Sequence, residues 1–121
     1  MSAVIIDIHT HISPDHLASG TVKRICERSS IRAYTDGTLR GLLGSMETAG
    51  IDLSVVSNVA TRPEQVSAIH EWLLGLGEER ILPLATMHPD LPAGEMPVRL
   101  LKEKGIRGFK VHPDYQDFFV D

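Results

Sequence analysis

Ile5-Ile6-Asp7-Ile8-His9-Thr10-His11 is an aliphatic, β-branched run that delivers two histidines at its C-terminal end. Such a run favours a strand. Side chains alternate between the faces of a strand, so His9 and His11 share a face with Cα atoms roughly 6.6 Å apart at ~3.3 Å per residue. Two imidazoles at that spacing can lean onto one ion, and a catalytic zinc takes about three protein ligands plus an open position. The pair is therefore half of a metal site. Ile5 and Asp7 fall on the histidine face, with Asp7 below the pair as an acceptor. Val4, Ile6 and Ile8 make an aliphatic opposite face expected to pack outward on helices. The competing reading is two solvent-exposed histidines just past a strand; their place at the end of an aliphatic first strand favours the metal.

Outward from that run, strand and helix signals alternate with short connections, the pattern of βαβ units and a parallel sheet. Strand one covers residues 3–9. Residues 13–37 form the longest insertion, opened by Ser13-Pro14-Asp15, carrying Leu17, Val22, Ile25 and Cys26 on a helix, and closed by Asp36-Gly37. An insertion there would sit over the site. Leu39, Leu42, Leu43, Met46 and Ala49 recur at helical spacing, and Gly50 is placed to stop their helix. Residues 53–58 read as strand two. Thr61-Arg62-Pro63-Glu64 predicts a capping box for a helix bearing Val66, Ile69, Trp72, Leu73 and Leu76. Residues 81–87 make strand three, residues 94–104 a helix stopped by Gly105, and residues 106–112 strand four.

Strand three ends in His88-Pro89-Asp90 and strand four in His112-Pro113-Asp114, 24 residues later, which suggests a repeated βα unit. In a parallel α/β fold the functional face lies at the C-terminal ends of the strands, where His9, His11, Asn58, His88 and His112 all fall. Singly, each has a plainer explanation: His-Pro is a common way to leave a strand, and Asn58 can satisfy loop backbone groups. Lys110 shares a face with His112 and, in a curved sheet, looks into the space of His9 and His11. There it would bind an anionic group or, desolvated, act as a base; a structural lysine paired to Asp7 is the other reading. His70 is expected on a helix surface and His16 in a loop.

Composition bounds the rest. At 121 residues with 42% hydrophobic content the chain is one domain with a core. No run approaches the ~18 apolar residues of a membrane span, and residues 1–12 lack a signal-peptide pattern, so a cytoplasmic location is the expectation. A net charge of -4, with Lys and Arg scattered, gives no footprint for nucleic acid or anionic lipid. Cys26 is alone, which excludes disulfides and cysteine-based zinc sites.

The opening Ile-Ile-Asp-Ile-His-Thr-His, the run from Gly50 to Val56, Ala85-Thr-Met-His-Pro89 and above all residues 105–116 resemble the N-terminal half of the amidohydrolase superfamily. The resemblance is to its amidohydrolase-related branch of metal-dependent hydrolases and non-oxidative decarboxylases. It covers nearly the whole chain in order. It implies half of a (β/α)8 TIM barrel over residues 1–121 and one divalent metal, zinc as a rule, whose first two ligands match His9 and His11. Lys110 and His112 match a strand-four motif that binds substrate or supports the site, and His88 and Asp7 join them as supporting or substrate-contacting groups. A carboxylated strand-four lysine belongs to other branches and is not assigned to Lys110. A whole barrel takes about 250 residues and eight strands. The relatives' further histidines on strands five and six and their strand-eight aspartate, the general base, have no counterpart here, so no catalytic residue is assigned.

The sequence thus predicts the N-terminal half of a metal-dependent hydrolase of a small, carboxylate-bearing substrate, with a decarboxylase of the same family as a variant. A different class is a non-catalytic α/β half-barrel module that works by assembly with a second copy or a complementary half barrel. A small doubly wound domain is a third reading, weakened by the want of a fifth strand and an acidic cluster.

Overall fold

The structure, a computed structural model, describes residues 3–121. Elements follow in the order β1 (Ile6–Thr10), α1 (Asp15–Ser29), α2 (Leu39–Ala49), β2 (Leu53–Val56), α3 (Val66–Leu74), β3 (Ile81–Pro83), β4 (Ala85–Thr86), α4 (Val98–Glu103), β5 (Phe109–Lys110) and α5 (Pro113–Gln116). It is a small α/β domain in which every strand pairing is parallel. One sheet has the order β1-β2-β3 and the other β4-β5. Each strand lies beside its predecessor or successor in the chain, without the reversal of order that marks a doubly wound sheet.

The expected third strand is divided. Its first half pairs with β2 and its second with β5, and the chain changes partner at Leu84, whose N–H donates to Val56 O at 2.9 Å before Ala85 N–H donates to Gly108 O at 3.0 Å. Pro83, with no N–H, loses no bond to β2, because Leu84 is the residue that bonds there. Among the described residues five strands therefore stand where four were predicted.

Local chemistry explains the helix ends. Gly50 (φ +68°) accepts the left-handed geometry that ends α2. At the start of α3 the predicted capping box moves by one residue. Gln65, not Glu64, reaches back to the N–H groups of Thr61 and Arg62, because Pro63 takes the first position of a 3₁₀ turn (Pro63–Gln65). Arg80 knits the opposite end of the strands, donating to Ile51 O and Asp52 O and pairing with Glu47.

The core lies on one face of the strands. Ile12, Met46, Val56, Leu73 and Ile81 are buried together, with α2 and α3 supplying Leu39, Leu42, Leu43, Ile69 and Trp72; Ala85, Leu101 and Ile106 form a second cluster under α4. Among the described residues no helix is long and apolar enough to cross a membrane.

Strand one corrects a predicted face. Asp7 pairs with Ser54, which lies beside Ile81 on the helix-covered side, while Ile6 pairs with Leu53 on the open side. Val4, Ile6 and Ile8 are exposed, Ile8 at 76%, instead of packing on helices. The ladder then slips between Asp7 and Thr10, and Thr10 pairs with Val56. This irregularity returns the strand to the expected facing beyond it.

Candidate functional site

The slip has a local cause: the Asp7 carboxylate accepts the backbone N–H of His9 at 3.1 Å, so Asp7 shapes its own strand instead of orienting an imidazole. Beyond it, the end of β1 is fixed from both sides. Thr10 Oγ1 donates to Val55 O, and the Asn58 side chain clasps Ile12, donating to its carbonyl at 2.7 Å and accepting from its N–H at 3.3 Å. Asn58 thus satisfies loop backbone groups and, in doing so, ties the end of β2 to the residue after His11.

Held this way, His9 and His11 turn the same ring atom toward each other. Their Nε2 atoms are 3.1 Å apart and the ring centroids 5.0 Å apart. In the free protein one Nε2–H donates to the other's lone pair. Two nitrogens so spaced, each at the ~2.05 Å of a zinc–imidazole bond, would subtend about 98° at a shared ion, between octahedral and tetrahedral angles. The pair therefore fits two positions of a divalent metal. Among the described residues no group of three or more His, Cys, Asp or Glu side chains gathers around an ion-sized space.

Lys110, on β5, and His112, two residues further on, lie near enough to act on the charge of His11. The His11 imidazole is lowered from the usual 6.5 to about 4, first by burial and then by the positive charges of His9, Lys110 and His112. The residue as a whole remains exposed. His112 turns Nδ1 to the N–H of Tyr115 at 3.3 Å and stacks on the Tyr115 ring at 4.2 Å. Its neutral form then carries the proton on Nε2. The second His-Pro-Asp does the same locally: His88 Nδ1 accepts from Asp90 N–H at 3.2 Å, and His88 is buried. No contact joins His88 to the other four.

The structure thus brings His9 and His11 together, with Lys110 and His112 near enough to act on the charge of His11, while Asp7 and His88 serve their own backbone. The long insertion bears on this group. Near the end of α1, Arg28 lies over the Tyr115 ring and donates to Asp114 O at 2.7 Å, and Ser29 is hydrogen-bonded to the Tyr115 hydroxyl. The chain that leaves β1 as an insertion is thereby clamped to the residues that follow β5.

Two residues carry more than their sequence suggested. His70 is not on a helix surface; it is buried, with Nε2 donating to Thr86 O at 2.9 Å. Its place one turn after Val66 and one before Leu73 was the signal. Gln116 is buried and joins three strand ends, donating to Ala60 O and Met87 O and accepting from His112 N–H. Comparison of the chain with known protein families, with curated proteins and with solved structures returned no match.

The His11 environment makes a direct prediction. Its imidazole should titrate near pH 4 in an NMR pH series. Since the folded form holds fewer protons than the unfolded chain between about 4 and the usual 6.5, this group contributes stability that is present above pH 6.5 and lost as pH falls toward 4. His9→Ala removes one of the positive neighbours and should move the midpoint upward. A midpoint of 6 or higher in the parent protein would contradict the packed geometry.

Proposed function

We propose that this chain is the N-terminal half of a metal-dependent hydrolase of the amidohydrolase type, acting on a small organic substrate that carries a carboxylate. The observation that carries the reading is the 3.1 Å approach of two Nε2 atoms at the C-terminal end of the first strand, with Lys110 and His112 near enough to act on the charge of His11. The sequential parallel strand order, with helices packed over one face, supports placing these residues at the mouth of half a (β/α)8 barrel.

In this reading His9 and His11 hold the ion, which supplies Lewis acidity when bound. Lys110 offers a fixed positive charge to the substrate carboxylate, and the Nε2–H of His112 donates a hydrogen bond beside it. Neutral His11 at pH 7 leaves its lone pair free for ligation. Asp7 is engaged by its own strand, so the proton acceptor that hydrolysis needs comes from outside this group. Decarboxylation would use the same cradle and the same cationic grip.

Zinc titrated into chelator-treated protein by calorimetry tests the reading. Saturable binding is expected, weakened at least about 100-fold by His9→Ala or His11→Ala, beyond the 10–100-fold that groups behind a ligand typically carry. Binding that is undetectable, or indifferent to both substitutions, would overturn it. The exposed apolar residues of β1 favour a second reading, in which the chain is a module that works by assembly without metal; zinc-independent association with no zinc site is its signature.

A further inference from the structure

β1 and β5 each have one strand neighbour, and each leaves the other edge open. In parallel ladders alternate residues bond to a given side. Ile5 O accepts from Leu53 N–H, and Gly108 O and Lys110 O accept from Ala85 and Met87 N–H. The peptide groups of Ile6, on one edge, and of Phe109 and Val111, on the other, therefore face outward. Both edges are apolar: Val4, Ile6 and Ile8 are exposed beside the first, Phe109 and Val111 beside the second. Exposed apolar edges of this kind are pairing sites unless something covers them.

The amount of uncovered surface can be measured. A compact monomer of 13.3 kDa exposes about 6,400 Å² by the usual mass scaling, whereas this chain exposes 8,332 Å². The excess, about 1,900 Å², is the area per protomer that obligate dimers bury when their interfaces total 2,000–5,000 Å².

We propose that a second copy of this chain covers both edges: β1 of each copy pairs in parallel with β5 of the other about a two-fold axis that runs along the strands. A rotation about such an axis keeps all strands parallel and makes both junctions at once, so the interface closes on itself and leaves no edge. Counting β3 and β4 as one interrupted strand, each copy contributes four, and two copies reach the eight at which parallel βα units close into a ring with a filled interior. The open strand face bearing Ile6 and Leu53 becomes that interior. Both clusters of His9, His11, Lys110 and His112 then rim one mouth, and each gains the wall it lacks in the single chain. The proposal names the partner in the half-barrel reading above and rests on that strand arrangement, not on the metal.

Light scattering on a sizing column, in the presence of chelator, tests it. The expected mass is twice 13.3 kDa. Ile6→Pro removes an outward N–H that only an added strand would use, and Ile8→Lys places a charge on the exposed edge; both should abolish the double-mass peak with helical circular dichroism unchanged. A parent chain at the single mass, a ladder of higher masses, or a dimer indifferent to both substitutions would overturn the pairing. The single mass would also be the result if the proper cover is a complementary half of different sequence. Zinc titration of the same samples separates the two proposals: a dimer without zinc binding sinks the metal reading alone, and a zinc-binding monomer sinks the pairing alone.

Discussion

Gln116→Leu is expected to lower the unfolding free energy by about 3–5 kcal/mol, since it strands three backbone groups at about 1–3 kcal/mol each, less what water recovers. One side-chain amide holds the ends of β2, β4 and β5 in place. Its Nε2 donates to Ala60 O at 2.8 Å and Met87 O at 2.7 Å, and its Oε1 accepts from His112 N–H at 2.8 Å. Leucine fills nearly the same volume and makes none of these bonds. Gln116→Glu sharpens the argument, because it keeps the acceptor for His112 but turns two donations into oxygen–oxygen repulsions. It should be at least as damaging near pH 7. Urea unfolding reads the effect as a lower midpoint at unchanged slope. If Gln116→Leu lies within about 0.5 kcal/mol of the parent, the usual scatter of a neutral substitution, the amide is not the tie it is described as. Because His112 is one of its three partners, the same substitution should loosen His112 and Lys110 relative to His11.

The role of Gln116 could not have been read from the sequence, since Ala60 lies 56 residues away and no local pattern pairs them. What was legible depended on local physics. The alternation of strand and helix, the apolar stripe of α2 and the Gly50 stop all arise from periodicity and backbone conformation, which act over a few residues. The approach of His9 to His11 was legible too, because alternation along a strand needs no knowledge of distant contacts.

The misreadings arose where one side chain overrode its neighbours. Asp7 captured the N–H of His9, which displaced the strand's register and turned Ile6 to the open side. Gln65 displaced Glu64 at the start of α3 because Pro63 set the first turn. His70 has the chemistry of a surface residue, but its spacing places it in the buried stripe, where the Thr86 carbonyl satisfies it. Polar residues with a single well-placed partner are those for which residue type predicts burial least well.

Met46→Ala is expected to cost about 2–4 kcal/mol, within the range for removing a large aliphatic side chain from a core. Met46 has no exposed surface and lies among Ile12, Val56, Leu73 and Ile81, so the cavity would open where α2 and α3 meet β2 and β3. Met46→Leu, which nearly conserves volume, should cost less than about 1.5 kcal/mol. The pair of substitutions separates lost packing from lost chemistry. It also tests how the core supports the site. Ile12 packs in this cluster and follows His11 in the chain, and its backbone is held by Asn58. A cavity beneath Ile12 leaves the end of β1 held by that clasp and by the bonds of Thr10 to β2, without the packing beneath. The His11 midpoint should then rise from about 4 toward the usual 6.5 in Met46→Ala and stay low in Met46→Leu. A large loss of stability with an unchanged His11 midpoint would mean that Asn58 and the β2 ladder hold the histidine pair independently of the core.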